Sequence, residues 1–224
     1  MNIKQRLLNI KESLPEHVNL VAVSKTKSKE EIMQAYLAGQ RVFGENKVQE
    51  MVDKWEQLPK DIQWHMIGHL QRNKVKYMAP FVSLIHGVDS LKLLKEINKQ
   101  ALKVDRVISC LLQVRIAEEE TKFGLKTEEL EDLIASDTFK KLQAVKVVGL
   151  MGMATFTQDT KQIAQEFSHL NTIFESLKST YPKTENFELT VRSMGMSGDY
   201  KIAIQCGSTM VRIGSHIFGS RNYN

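Results

Sequence analysis

The chain reads as an α/β protein closed into a (β/α)8 barrel, and three observations predict this. Eight short β-rich runs alternate with helical patterns from end to end, which argues for parallel βαβ units. Several of those runs are almost continuously apolar, as strands covered on both faces must be. The 224 residues suit eight such units in one domain spanning residues 1–224. An open doubly wound sheet is the alternative, but the first strand lacks the G-x-G-x-x-G turn of such folds.

Taken in order, the strands are expected at NLVAVS from Asn19, RVFGE from Arg41, QWHMIG from Gln63 and VSLIHGV from Val82. RVISCLLQV from Arg106, AVKVVGLMGM from Ala144, FELTVRSMGM from Phe187 and TMVRIG from Thr209 complete the eight. Helical periodicity fills the gaps at residues 28–38, 47–57, 90–102, 127–135 and 159–179. The opening MNIKQRLLNIKESL is an amphipathic helix with charges throughout rather than a secretion signal. A short final helix is expected at SHIFGS, from Ser215. With only 4 prolines and no Gly/Ser-rich linker, no second domain is expected.

Composition narrows the function classes. The balance of 31 Lys+Arg against 26 Asp+Glu is mildly basic, and the lysines are scattered rather than massed. Aromatic residues are 7% and do not interleave with the basic ones, which disfavours nucleic-acid binding. No uncharged apolar run reaches membrane-spanning length. Cys110 and Cys206 lie in apolar stretches without a C-x-x-C partner, so buried reduced thiols are expected rather than a disulfide or zinc site. The histidines have no metal-ligand spacing, and His69 reads as a loop or helix-start residue rather than a catalytic one. A soluble cytoplasmic protein is the expectation.

Chemistry concentrates at strand ends. Alternation along NLVAVSK puts Val21, Val23 and Lys25 on one face, so Lys25 projects into the barrel mouth if the valines face inward. A partly desolvated lysine there is an amine nucleophile suited to an aldehyde; a lysine snorkelling from the rim is the alternative. SMGMSGD after the seventh strand, and Gly214 and Ser215 after the eighth, offer glycines, hydroxyls and free N–H groups. Barrels often bind phosphate at those two loops, although a serine at a helix start is also an ordinary cap. An amine facing a phosphate cradle suits an aldehyde carrying a phosphate, which describes pyridoxal 5′-phosphate (PLP). Arg212 lies between Val211 and Ile213 in the eighth strand and needs a partner or ligand. Against the pyridine nitrogen of PLP it would keep that nitrogen unprotonated and weaken the ring as an electron sink. An ion pair with Glu45 is the alternative.

AVSKTK, FGENKVQE, WHMIGHLQRNK, LMGMA, SMGMS and GSTMVRIGSHIFG together resemble the pyridoxal phosphate homeostasis protein family, from Leu20 to Arg221. The resemblance implies a single barrel similar to the N-terminal domain of alanine racemase, holding PLP as an internal aldimine on Lys25. It also implies that Ser197, Gly214 and Ser215 hold the phosphate, that Arg212 lies close to the cofactor and that Asn46 lies beside the ring. His65, Met151 and Met194 correspond to pocket positions. Arg192 departs from the family pattern, where a leucine is expected, and is given no role.

The expected function is buffering, protecting or delivering PLP, without robust catalysis. A racemase needs acid/base groups on both faces of the substrate adduct, and the nearest tyrosine, Tyr200, is expected to face away. A weak PLP-dependent racemase or lyase is the alternative. Apo PLP enzymes are the expected acceptors, and a monomer is expected. Lys27, Lys29 or Lys122 could assist release, though solvated lysines are the simpler reading.

Overall fold

The structure is a computed structural model that describes residues 1–117 and 123–219. Helix α1 (Ile3–Ser13) precedes the barrel and is capped by Asn2, whose side chain accepts from the Gln5 N–H. The strands are β1 (Asn19–Val23), β2 (Val42–Glu45), β3 (Gln63–Met66), β4 (Leu84–Val88), β5 (Ile108–Gln113), β6 (Val145–Met151), β7 (Phe187–Met196) and β8 (Met210–Ile213). All eight lie where the apolar runs place them. Every neighbouring pair is parallel, and β1 pairs with β8 from Asn19↔Met210 to Ala22↔Ile213, which closes the barrel.

The long helices also match: α2 (Lys29–Leu37), α3 (Val48–Gln57), α5 (Leu91–Leu102), α6 (Thr127–Ala135) and α8 (Thr160–Thr180). Short turns of helix, α4 (Val75–Met78) and α7 (Asp137–Lys140), have no counterpart in the sequence reading; each is a single turn, below the length at which periodicity registers. After β7 and β8 come α9 (Tyr200–Gln205) and α10 (Ser215–Phe218). None of the described helices is long and apolar enough to cross a membrane.

Two apolar clusters follow from strand alternation. The larger lies between strands and helices and includes Leu20, Ala22, Phe43, Trp64, Ile85 and Val211. The smaller fills the barrel interior with Val21, Leu84, Leu111, Met151 and Met210, from five different strands. Val21 therefore faces inward and Leu20 outward, as the sequence predicts. Cys110 is buried, and burial pushes its thiol upward. Cys206, expected to be buried too, is only half-buried because it caps the short α9.

Candidate functional site

The C-terminal ends of the strands surround a cavity of about 460 Å3, within the size range of small-molecule sites. Lys25, Asn46, Ser197, Arg212, Gly214 and Ser215 all line it, from four different strand ends. Val23, Ile67, Met153, Phe156 and Met196 supply apolar walls. Two other hollows, beside Lys140–Gln143 and beside Tyr181, lie at the N-terminal ends of β6 and β7, on the opposite face.

Lys25 follows β1 in a tight turn that positions it at the mouth, in line with inward-facing Val21 and Val23. Across the mouth, the turns after β7 and β8 lock together. The Gly214 N–H donates to Ser197 Oγ at 3.3 Å, and the Met196 N–H donates to Asp199 Oδ1 at 2.6 Å. Gly195 adopts φ +98°, where a Cβ would lie 2.7 Å from Ala203 Cβ, so the turn requires glycine. The Gly214 backbone packs against β1: a Cβ there would stand 3.1 Å from the Val23 carbonyl oxygen. An amine, a hydroxyl- and N–H-rich cradle and a cationic floor therefore share one cavity. These groups match the aldehyde, phosphate and ring nitrogen of PLP.

Arg212 is that floor. Alternation on β8 turns it inward, while Glu45 on β2 faces outward, so the two do not pair. The Arg212 guanidinium donates to Ser193 O at 2.8 Å, Ser193 Oγ at 2.6 Å and Gly152 O at 3.1 Å. Burial pulls its pKa down to about 10, against the pull of Asp199, and it stays cationic at neutral pH. Behind it runs a buried hydrogen-bond chain: Ser193 Oγ to His86 Nδ1 at 3.0 Å, and His86 Nε2 to His65 Nδ1 at 3.0 Å. A guanidinium only donates, so Ser193 Oγ accepts from Arg212, and the tautomers of His86 and His65 set the direction of the two bonds behind it. Burial pulls His65 down to about 3 and His86 well below the usual histidine range, so both rings are neutral.

The other expected pocket residues lie deeper. His65 is buried in this polar layer, and Met151 belongs to the apolar plug inside the barrel. Met194 packs outward among the helices and does not line the cavity, because β7 alternation gives the inward position to Ser193. Arg192 also points outward, donating to Asn171 and Glu175 and lying over the Phe174 ring. Tyr200 is buried in the outer layer, edge-on to His216. His69 is an exposed loop residue stacked on Phe123. Lys122 lies outside the described residues.

Three participants escape a reading of the sequence. His86 and Ser193 sit in apolar strands where only inward parity betrays them. Lys27, read as solvated, reaches from the cavity wall to the Phe218 carbonyl at 3.3 Å and to Glu31 at 3.4 Å. On the outer side of β1 and β2, Glu45 is buried beside Lys54. Burial pushes the Glu45 carboxyl up to about 7, with the Lys54 ammonium and the Ser24 hydroxyl pulling it down.

A sequence profile of the alanine racemase N-terminal domain matches residues 1–222. The pyridoxal phosphate homeostasis protein of Pasteurella multocida is 38% identical over 237 residues, covering 100% of both chains. The chain belongs to the pyridoxal phosphate homeostasis protein family. Another member, from Aquifex aeolicus, is 40% identical over 91% of this chain and 87% of its own. Among solved structures, PipY of Synechococcus elongatus with PLP bound is 34% identical, with a TM-score of 0.88 over 97% of this chain and 100% of PipY. Alanine racemase of Clostridium difficile, 15% identical with a TM-score of 0.79 over 100% of this chain and 61% of its own, shares the barrel fold.

Proposed function

We propose that this protein binds PLP and serves PLP homeostasis, holding the cofactor rather than using it for turnover. The observation that carries this reading is the convergence of Lys25, the Ser197–Gly214–Ser215 cradle and Arg212 on one cavity. PLP brings a reactive aldehyde that condenses reversibly with a primary amine. Lys25 is the amine for it; the two glycine-rich turns bind the phosphate, and Asn46 lines the cavity beside the ring. Arg212, held by three acceptors, presents a fixed cation to the ring nitrogen and withholds a proton from it. His65 and Met151 support the site from beneath.

The non-enzymatic reading draws support from Tyr200, which is packed into the outer layer rather than presented to the cavity. Action as a cytoplasmic monomer that passes PLP to apo PLP enzymes belongs to the same reading.

Visible absorption before and after borohydride, with Lys25→Ala alongside, tests it. The wild type is expected to be yellow, to bleach with borohydride and to carry the label on Lys25. Lys25→Ala is expected to lose both signals. A wild type that stays colourless after incubation with PLP would sink the proposal.

A further inference from the structure

Lys25 is flanked by two residues whose backbones are tied to one charge cluster on the outside of the barrel, centred on buried Lys54 and Glu45. Lys54 on α3 is buried, and its ammonium donates to Ser24 O at 2.8 Å, Glu45 Oε1 at 2.8 Å and Glu50 Oε1 at 2.7 Å. Three donors thus meet three acceptors. The Ser24 hydroxyl donates to the same Glu45 oxygen at 2.6 Å. On the other side of Lys25, the Thr26 N–H donates to Glu50 Oε1 at 2.6 Å.

Thr26 stands at φ +64°, a left-handed conformation that is strained for a β-branched residue and persists only where its surroundings impose it. Glu50 provides that imposition. Glu45 also immediately precedes Asn46, which lines the cavity. A single ammonium therefore joins the turn that carries the cavity's amine to the turn that carries its amide.

A buried ion pair is weak evidence for net stability, because desolvation offsets most of the attraction. Apolar residues could pack the same space. They could not fix the directions of a carbonyl and an N–H on either side of one side chain.

We propose that Lys54, with Glu45 and Glu50, is a positioning unit for Lys25, setting where its amine stands relative to an incoming aldehyde. The proposal rests on the PLP-binding reading above. In the step it serves, Lys25 Nζ attacks the aldehyde carbon, its two protons leave with the carbonyl oxygen as one water, and a C=N bond replaces C=O; hydrolysis reverses it. Displacing the backbone at 24–26 weakens this covalent step more than it weakens phosphate binding, because Lys54 and Glu50 bond the Lys25 turn and Glu45 and not the turns after β7 and β8.

The test compares Glu50→Ala, Lys54→Met and Lys54→Arg with wild type by three readouts: total PLP bound at equilibrium dialysis, the fraction trapped on Lys25 by borohydride, and Tm. Glu50→Ala removes the acceptor of the Thr26 N–H while leaving the Glu45–Lys54 pair, so it stays informative if Lys54→Met does not fold. The expected result is a trapped fraction lowered about tenfold in Glu50→Ala, a smaller loss of total PLP, and partial recovery in Lys54→Arg relative to Lys54→Met. A lower Tm with an unchanged trapped fraction in Glu50→Ala would overturn the positioning role. A wild type that takes up no PLP would instead overturn the underlying reading, and the two failures are therefore distinguishable.

Discussion

Gly214 shows how little space separates the cradle from the strand beside it. Its missing Cβ would stand 3.1 Å from the Val23 carbonyl oxygen and 3.3 Å from Val23 Cβ, both on β1. Gly214→Ala is expected to push the β8–α10 turn off β1 and weaken PLP binding about tenfold, or ~1.4 kcal/mol. Tm should move by only a few degrees. Fluorescence titration with PLP checks this, and unchanged affinity would remove Gly214 from the cradle. Residue by residue, some of the site was legible in advance. Lys25 announced itself as a charge continuing the inward parity of Val21 and Val23, and Arg212 as a charge inside an apolar strand. The partner of Arg212 was not legible. Composition offered Glu45, but Glu45 faces Lys54 outside the barrel while Arg212 donates to Ser193 and Gly152 inside it.

At the level of elements, α2 begins at Lys29, four residues after Lys25, and inherits its position from the turn. Its start is a reciprocal capping box: Ser28 Oγ accepts from the Glu31 N–H at 3.2 Å, and Glu31 Oε2 accepts from the Ser28 N–H at 2.9 Å. Glu31 also holds Lys27, which reaches the last turn of α10. Ser28→Ala is expected to lower stability by about 1 kcal/mol, read as a shift of the urea midpoint. A midpoint shift too small to resolve would show that the turn, not the cap, fixes the helix start. The S-x-x-E signal is visible in the sequence. The Lys27–Phe218 bond is not, since its ends are 191 residues apart and meet only when β1 pairs with β8.

For the whole molecule, the buried titratable groups give stability a definite pH profile. His65 is neutral when folded down to about pH 3, and burial lowers His86 in the same direction. Unfolded histidines take up protons near pH 6.5, so each costs stability as pH falls below that value, at about 1.4 kcal/mol per pH unit. Glu45 acts oppositely: with its folded carboxyl raised to about 7, acidification from 7 toward 4.5 favours the folded state. Two histidines outweigh one carboxyl. The net expectation is a modest loss of about 2 kcal/mol between pH 6.5 and 5, then a steeper fall below pH 4.5, where Glu45 no longer compensates. Denaturant titrations at pH 7, 5.5 and 4 measure this, and stability rising on acidification would contradict the neutral-histidine core.

The sequence by itself determined the eight parallel strands, the long helices between them and the two ends of the site. The physical reason is local: strand and helix periods, turn glycines and caps act over a few residues. Tertiary closure decided the rest. Only the pairing of β1 with β8 brings Lys25 opposite Gly214, and only inward parity on β3, β4, β7 and β8 assembles Arg212, Ser193, His86 and His65 into one chain. Met194, one residue from Ser193, falls on the other side of that same strand. Burial then made Lys54 and Glu45 a clamp on the Lys25 turn rather than another surface pair, because desolvation is a property of the packed molecule and not of any stretch of its sequence.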